Sequence, residues 1–481
     1  MSSGELIDVE MQNGKSPFYP ERSLFYGGKM VNSALEEGED YDKMKKSIVI
    51  SIVDRILFLD IPGIHTRFLV KEEDTGHPLT DRLARRSCKG DDGFGGCHKV
   101  NINIPDYVNN VLSTLENEGH QGFIVGGCVR DALMGKKPAD WDVCTSAKPG
   151  QIKEAFSEYK TVDIGMKHGT VAILTSGGSV EITTYRIDGE YLDNRHPQKV
   201  VFTDDLAEDL ARRDFTMNAI AYHPKDGLRD PFDGQKAIAS RLIRCVGEPV
   251  KRFEEDSLRI LRGLRFASVL DFRIEKGTAE AMRQCAERIR KASAERINVE
   301  LSKLIMGSSA DKILQEFGDI IKIAAPGVRV VPVSHAPKKL PVRLATLFPE
   351  KTEAALCQLK YDNHTIKTAA ALAGLLQEAP PEGGFEAKKL LYRHGEEIVR
   401  MYFEILDRLP ELEEILQSGQ CYSVGQLAVN GRDLIAAGIE PGKAIGESLE
   451  YLLQAVMKGK VENDKESLLQ VVLREKEDSS L

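Results

Sequence analysis

The sequence predicts an α+β protein of several domains, with a small α/β fragment at the N-terminus, an α/β domain after it and a mostly helical second half. Its 481 residues exceed what one hydrophobic core organises, since domains commonly hold about 100–200 residues. Short runs rich in β-branched residues alternate with short helical patterns between residues 100 and 230. From about residue 254 onward, apolar residues recur at helical spacing between Pro and Gly breaks.

The N-terminal fragment is expected over residues 1–81, because the run SIVISIVDRILFLD has the β-branched content of a buried strand. Residues 82–99 are Gly-rich and charged without periodicity, which predicts a linker. The α/β domain is expected over 100–230. Its first helix is predicted within IPDYVNNVLSTLENEGH, with Asp106 as a candidate N-cap and Gly119 beyond its end.

Further elements of the α/β domain follow in short segments. QGFIVGG predicts a strand that ends in two glycines, and CVRDALMG predicts a short helix. PADWDVCTS, GTVAILTS and SVEITTYR predict three more strands. The helical half is divided into 231–306, 307–375 and 376–481.

Composition sets limits on location and partners. The longest apolar stretch is interrupted by charges and is shorter than the ~20 residues of a spanning helix, so no membrane partner is expected. The first residues, MSSGELIDVEMQ, contain no secretory signal, and the eight cysteines form no CxxC pair, which favours a cytoplasmic protein with reduced thiols. A net charge of −9 means that nucleic acid would need a local basic face.

Such a basic face is a possibility between Arg241 and Arg265, where seven Lys and Arg residues crowd into a short segment. A solvated helix face explains the same charges equally well. Charge alone therefore leaves both interpretations open.

Two glycines, Gly126 and Gly127, stand between a predicted strand and a predicted helix. Glycine permits close approach of the backbone, and the N–H groups that open a helix can receive a phosphate. A tight strand-to-helix turn without a ligand is the simple alternative.

A pair of carboxylates follows in Asp140-Trp141-Asp142. Alternation along a strand places Asp140 and Asp142 on one face, where they can share metal ions. Mg²⁺ prefers carboxylate oxygens together with substrate phosphates, and two such ions can assist an in-line displacement. Glu181, in SVEITTYR, is a candidate third catalytic carboxylate or a polar residue at a strand edge.

Three segments in order carry a family resemblance: GGCVRDALMGKKPADWDV, RRDFTMNA at 212–219 and EEDSLRILRGLRF at 254–266. They closely resemble the class II tRNA nucleotidyltransferase and poly(A) polymerase family, over residues of about 100–475. The segment LAVNGRDLIAAGIEPGKAIGESLEYLLQAV looks like the end of bacterial CCA-adding members. The resemblance implies a nucleotidyltransferase α/β head followed by an all-α neck, body and tail.

The same resemblance implies an activity. It would be the template-independent addition of CCA to the 3′ end of tRNA, with CTP and ATP as substrates, Mg²⁺ as cofactor and pyrophosphate as the second product. Asp140 and Asp142 would bind the metal, Gly127 and Arg130 would contact the nucleotide, and Arg213 would touch the incoming nucleotide.

The neck is implied to select the nucleotide through Asp256, Arg259, Arg262 and Arg265. Their spacing of three predicts one helix face. An ionised Asp only accepts hydrogen bonds and Arg only donates them, so the pair matches an amino donor beside a ring-nitrogen acceptor. Cytosine and adenine present that edge, whereas uracil and guanine do not.

The remaining segments complete the family comparison. The loop at 191–197, with Asp193 and Arg195, resembles the flexible loop used in changing from CTP to ATP. Residues 307–375 resemble a degenerate HD domain without a His-Asp dipeptide, so His335 and His364 are not expected to be metal ligands. The tail from 376 to 481 is expected to bind tRNA.

The N-terminal fragment resembles PD-(D/E)XK nuclease family transposases, with Glu10 and Gln12 in the position of an ExQ motif. No segment supplies the first acidic ligand of that family, so nuclease activity and a DNA partner are not expected. Three alternative functions stay open: an A-adding enzyme, a poly(A) polymerase and a noncatalytic RNA-binding protein. A polymerase would be expected to carry a strongly basic extension, and the tail VVLREKEDSSL is not basic. The paired carboxylates argue against the noncatalytic protein.

Overall fold

The computed structural model describes the following residues of the chain: 6–12, 47–53, 68–69, 84–85, 102–165, 169–188 and 200–478. The N-terminal part contributes four strands: β1 (Leu6–Gln12), β2 (Ser47–Val53), β3 (Phe68–Leu69) and β4 (Ala84–Arg85). β1 pairs with β2 in parallel, and β3 pairs with β4 antiparallel. The loop with Asp193 and Arg195 lies outside the described residues, as does most of the N-terminal fragment.

A seven-stranded sheet forms the head, in the order β13-β12-β5-β6-β9-β8-β7. Only β6 and β9 pair in parallel; the other neighbours in this sheet are antiparallel. The seven strands are β5 (Gly122–Val125), β6 (Trp141–Thr145), β7 (Lys160–Gly165), β8 (Thr170–Thr175), β9 (Gly178–Thr184), β12 (Ala221–His223) and β13 (Gly227–Arg229).

At β5, both faces of this sheet pack against an apolar core. Along β5, Ile124 packs into one core while Phe123 and Val125 pack into another, because successive side chains of a strand point to opposite faces. The first core is covered by the amphipathic helix α1 (Asp106–Asn117). The N-cap of α1 is Pro105 and not Asp106, so the helix begins one residue earlier than the sequence predicted.

Shorter elements complete the head. They are the helices α2 (Gly127–Leu133), α3 (Pro149–Ala155), α4 (Leu206–Ala211) and α5 (Gly234–Ala239), and the antiparallel strands β10 (Arg186–Asp188) and β11 (Val200–Phe202). A 3-10 turn at Thr216–Asn218 leads back into the sheet. The Leu210 side chain of α4 packs into the second core, which fixes this helix beside the sheet.

The neck is helical except for one small parallel pair, β14 (Leu242–Ile243) and β15 (Arg273–Ile274), which the sequence did not predict. Two-residue strands carry too short a pattern to be recognised. The neck helices are α6 (Pro249–Glu255), α7 (Leu258–Leu270), α8 (Lys276–Gln284) and α9 (Ala294–Ile305), and α10 (Ala310–Ala324) follows them.

The described residues after α10 contain a 3-10 helix at Val424–Gln426 and eight α-helices: α11 (Leu340–Leu347), α12 (Thr352–Gln358), α13 (Asn363–Leu375), α14 (Gly383–Ile405), α15 (Leu409–Gln417), α16 (Gly431–Ala436), α17 (Lys443–Met457) and α18 (Lys465–Asp478). The largest apolar core runs without interruption from Phe215 in the head to Ala369 in α13. Among the described residues, no helix is long and apolar enough to cross a membrane. The α/β head followed by helices confirms the predicted fold class.

Candidate functional site

A cavity of about 740 Å³ lies where the head meets the neck. Its walls carry seven arginines and five carboxylates, together with the two glycines of the turn before α2. The lining residues are Gly126, Gly127, Arg130, Asp140, Asp142, Arg212, Arg213, Asp214, Asn218, Asp256, Leu258, Arg259, Arg262, Arg265, Phe266, Arg296, Val299 and Glu300. All the residues that the sequence singled out for catalysis or nucleotide binding line it, except Glu181.

The turn at Gly126 needs glycine. Its φ is 82° and its ψ is −127°, a conformation that side chains rarely permit. A Cβ built on Gly126 would also lie 3.0 Å from Nη1 of Arg213. The missing side chain therefore lets a guanidinium approach the backbone where β5 ends and α2 begins.

Two carboxylates reach the cavity from the start of β6. Trp141 and Val143 are buried in the sheet, while Asp140 and Asp142 are exposed on the other side of the strand. Glu181 lies directly beside Asp142 in the parallel register of β6 and β9. The structure thus brings three carboxylates to one end of the sheet.

The crowding of negative charge affects Asp142. Removal from water raises its pKa to about 6, and the carboxylates of Glu181 and Asp140 add to this, while the guanidinium of Arg213 opposes it. A cation would relieve this repulsion, so the donor set fits a hard metal ion. Within the described part of the chain, no group of three or more His, Cys, Asp or Glu side chains forms a ready-made metal site.

Three arginines of α7 form the opposite wall, and each is paired with a carboxylate of the protein. Arg259 pairs with Glu255, which precedes it by one helical turn. Arg262 lies 2.7 Å from Asp214, and Arg265 lies 2.8 Å from Glu300, which stands on α9. Their guanidiniums are held in place before any ligand arrives.

Asp256 does not lie on the helix that carries these arginines, so the prediction of one helix face for all four residues was wrong. It has an extended backbone between α6 and α7, because its Oδ1 accepts the N–H of Leu258 at 3.0 Å and opens the second helix. Its Oδ2 accepts a 2.6 Å bond from Nη2 of Arg296. The cavity nevertheless receives Asp256 beside Arg259.

Arg130 connects the turn to the neck. Its Nη2 bonds Asp131 at 2.7 Å, its Nη1 bonds Oδ1 of Asn218 at 2.7 Å, and its guanidinium lies 5.1 Å from the ring centre of Phe266. The guanidinium of Arg265 lies 4.0 Å from the same ring. Phe266 therefore separates one arginine of the head from one of the neck.

Asp214 is the central acceptor of the site. Desolvation alone would raise its pKa, but the charge of Arg262 and the hydrogen bonds from Asn218 and Arg262 outweigh burial and lower the pKa to about 2. The carboxylate therefore stays ionised and fixes Arg262 through bonds to Nε at 2.8 Å and Nη2 at 2.7 Å.

Sequence reasoning missed six cavity residues that have polar or aromatic side chains. Four of them belong to the motifs RRDFTMNA and EEDSLRILRGLRF, so a closer use of those motifs would have found them. The other two stand on α9, where a buried glutamate among apolar positions was the available signal. The six are Arg212, Asp214, Asn218, Phe266, Arg296 and Glu300.

Family models match four parts of the chain. Residues 122–244 match the poly A polymerase head domain, and 271–318 match the RNA and SrmB-binding site of polymerase A. Residues 342–472 match tRNA nucleotidyltransferase domain 2. Residues 1–85 match the PD-(D/E)XK nuclease family transposase model, in agreement with the resemblance of the N-terminal fragment.

Curated proteins and solved structures give the same result. The CCA-adding enzyme of Levilactobacillus brevis is 37% identical over 384 residues, which cover 75% of this chain and 96% of that protein. The Bacillus stearothermophilus CCA-adding enzyme in complex with CTP is 31% identical with a TM-score of 0.66, covering 78% of this chain and 97% of that one. The Thermotoga maritima CCA-adding enzyme complexed with tRNA, at 23% identity and a TM-score of 0.58, shares the fold.

The head, the cavity and these similarities define the chain as a nucleotidyltransferase. More narrowly, it belongs to the family of CCA-adding enzymes.

Proposed function

We propose that this protein adds CCA to the 3′ end of tRNA from CTP and ATP, without a template, and releases pyrophosphate. The observation that carries the proposal is the single cavity that joins the carboxylates of β6 to the arginines of α7. A catalytic centre and a base-reading surface on opposite walls are what untemplated addition of chosen nucleotides requires.

Asp140 and Asp142 are the proposed Mg²⁺ ligands, with Glu181 as the third catalytic carboxylate. Bound Mg²⁺ supplies charge neutralisation for the attacking 3′-hydroxyl and the departing pyrophosphate. The two aspartates offer exposed oxygens, and desolvation together with the charge of Glu181 raises the pKa of Asp142, an effect that a bound cation would oppose. Substrate oxygens would complete the coordination, as is usual for Mg²⁺.

The triphosphate is proposed to lie between the turn at Gly126 and Gly127 and the guanidiniums of Arg130 and Arg213. The seven arginines of the cavity exceed its five carboxylates, so the walls favour an anion. Arg130 is already oriented by Asp131, which reduces the ordering that binding requires.

The base is proposed to face Asp256 and Arg259, with Arg262 and Arg265 behind them. Asp256 would accept the amino group of cytosine or adenine, and Arg259 would donate to the ring nitrogen. Uracil or guanine would present a carbonyl oxygen to the carboxylate of Asp256, and such a mismatch of acceptor against acceptor can cost factors of about 10⁴ in discrimination.

The other parts of the chain have proposed roles. The neck (231–306) selects the nucleotide, 307–375 is a degenerate HD-like region, and 376–481 binds tRNA. The match of residues 342–472 to one family model supports a contribution of these helices to the tRNA enzyme. The proposed location is the cytoplasm, where tRNA is processed.

A direct assay tests this function. Purified protein is given tRNA lacking CCA or tRNA ending in CC, each with CTP, ATP or both. Extension of the first substrate by three nucleotides, only when both triphosphates are present, is the expected result. Extension of the second substrate alone would indicate an A-adding enzyme, and a long ladder on generic RNA would indicate a poly(A) polymerase.

The match of residues 1–85 to a nuclease family makes DNA cleavage the second candidate activity. The full-length protein is incubated with supercoiled plasmid and Mg²⁺, beside a Glu10→Ala variant. We expect no nicking by either protein. Nicking that disappears in Glu10→Ala would establish the second activity.

A further inference from the structure

Asp209 is a fully buried carboxylate outside the cavity, near the end of α4. Burying an ionised carboxylate is costly unless charged or hydrogen-bonding groups surround it. Three residues bind it: the first residue of β10 and two consecutive arginines of the cavity wall.

The bonds of Asp209 are divided between its two oxygens. Oδ1 accepts the backbone N–H of Arg186 at 3.3 Å and the Nε–H of Arg212 at 2.9 Å. Oδ2 accepts from Nη2 of Arg213 at 3.4 Å. One carboxylate thus ties β10 to both guanidiniums.

Arg213 is held between this carboxylate and the reaction centre. Its Nη1 lies next to the turn, 3.0 Å from where a Cβ of Gly126 would stand. Its Nε is buried and has no hydrogen-bond partner among the described residues. The guanidinium is therefore anchored to Asp209 through Nη2, while Nη1 stays beside the turn at Gly126.

The electrostatic surroundings agree with this geometry. Desolvation alone would lower the pKa of Arg213, but the negative charge of Asp209, followed by smaller effects that include Asp142, reverses this and raises the pKa. Arg213 in turn opposes the rise in the pKa of Asp142. Asp209 is thus the main anionic partner of an arginine that also acts on a catalytic carboxylate.

We propose that Asp209 is a positioning residue for nucleotide addition, which holds the guanidiniums of Arg212 and Arg213 against the triphosphate of either nucleotide. The proposal rests on the function proposed above. Asp209 touches no reacting atom; it acts through the two arginines. Because these arginines face the phosphates, the effect is the same for CTP and ATP.

The test is the variant Asp209→Asn, which keeps the shape of the side chain and removes its charge. Losing a charged hydrogen bond to Arg213 is expected to raise KM for CTP and for ATP by about tenfold each. KM for tRNA is expected to stay within twofold. Partial unfolding alone would lower kcat and leave the nucleotide KM values unchanged.

Asp205→Ala is the matched control. Asp205 caps the same helix, its Oδ1 accepting the N–H of Ala207 at 2.8 Å, so its removal weakens α4 without touching the arginines. Its nucleotide KM values should match the parent. The proposal fails if Asp209→Asn leaves both nucleotide KM values within twofold of the parent, or raises them no more than Asp205→Ala does.

A double-mutant cycle with Arg213→Lys gives a second measurement. If Asp209 acts through Arg213, the two changes together should raise KM little more than Arg213→Lys alone, and fully additive effects would overturn the proposal. If Asp209→Asn does not fold, the cycle uses Asp209→Glu, which moves the carboxylate by one methylene.

CTP affinity is also measured by calorimetry without tRNA. If the parent protein binds CTP but adds nothing to tRNA, the proposed function is refuted, while the role of Asp209 in holding the arginines can still be tested by CTP binding.

Discussion

Arg296 holds the carboxylate of Asp256 through two bonds, Nη2 to Oδ2 at 2.6 Å and Nη1 to Oδ1 at 3.3 Å. This fixes the direction of the acceptor proposed to read the base. In Arg296→Gln, the carboxylate should turn more freely, and incorporation of UTP or GTP relative to CTP or ATP should rise by roughly tenfold. The measurement is the ratio of kcat/KM values for the four triphosphates.

The control for this prediction is Arg290→Gln. Arg290 is exposed in the 3-10 helix Ala286–Lys291, pairs with Glu287 at 2.7 Å and does not line the cavity. Its ratios should equal those of the parent. Unchanged base choice in Arg296→Gln would refute the orienting role.

Asp142→Ala removes one proposed metal ligand and is expected to lower kcat for tRNA extension by at least about 10³-fold. The fold should persist, because the side chain is exposed on the surface of β6. Asp163→Ala is the control, since Asp163 is an exposed carboxylate of the edge strand β7 paired only with Lys153 among the contacts described. Extension at the parental rate by purified Asp142→Ala would remove Asp142 from the mechanism.

The raised pKa of Asp142 predicts that the stabilisation of the fold by Mg²⁺ depends on pH. A carboxylate whose folded pKa lies above its unfolded value stabilises the fold below the unfolded pKa, and this contribution is lost as pH rises through about 6. Mg²⁺ binds the ionised form, so it should raise the thermal midpoint more at pH 7.5 than at pH 5. Calorimetric scans with and without Mg²⁺ measure this. In Asp142→Asn, the pH dependence of the Mg²⁺ effect should be much reduced, and an unchanged dependence would contradict the assignment.

Gly126→Ala and Gly135→Ala form a matched pair. Both glycines have positive φ, 82° and 71°, so either alanine is strained by about 1–3 kcal/mol. Only at Gly126 would the new Cβ meet Arg213; nothing lies within 4 Å at Gly135. Both variants should therefore unfold at a lower temperature than the parent. Only Gly126→Ala should raise KM for CTP, by roughly tenfold. Equal KM values for the two variants would argue against contact between Arg213 and the nucleotide.

The strand alternation around Trp141 was sufficient to predict where Asp140 and Asp142 lie, because a period of two leaves few choices once one face is buried. The sequence was also sufficient to predict that an α/β head is followed by helices, since long helices carry repeated apolar patterns. The short strands β14 and β15 could not be predicted, because two residues are too few to show a periodic pattern.

The site was harder to predict where distant segments meet. Asp256 and Arg259 are three positions apart, which suggests one helix, but the side chain of Asp256 accepts a bond from the backbone of Leu258 where one helix ends and the next begins. Arg296 reaches Asp256 from 40 positions away in the chain. No local pattern encodes such a pairing, because it depends on how α9 packs on α7.

The side chain of Phe215 links the head to the neck. It belongs to the segment that carries Arg213 and Asp214, yet its ring is packed in the core of the neck, at 6.0 Å from the ring of Phe266 and against Gly263. Opening a hinge there would expose a fully buried phenylalanine, at about 1.5–3 kcal/mol for that ring alone. We therefore expect the head and the neck to move as one rigid body while the tRNA end grows. The adjustment between successive nucleotides would then be made by side chains within the cavity and by parts of the chain outside the contact of Phe215.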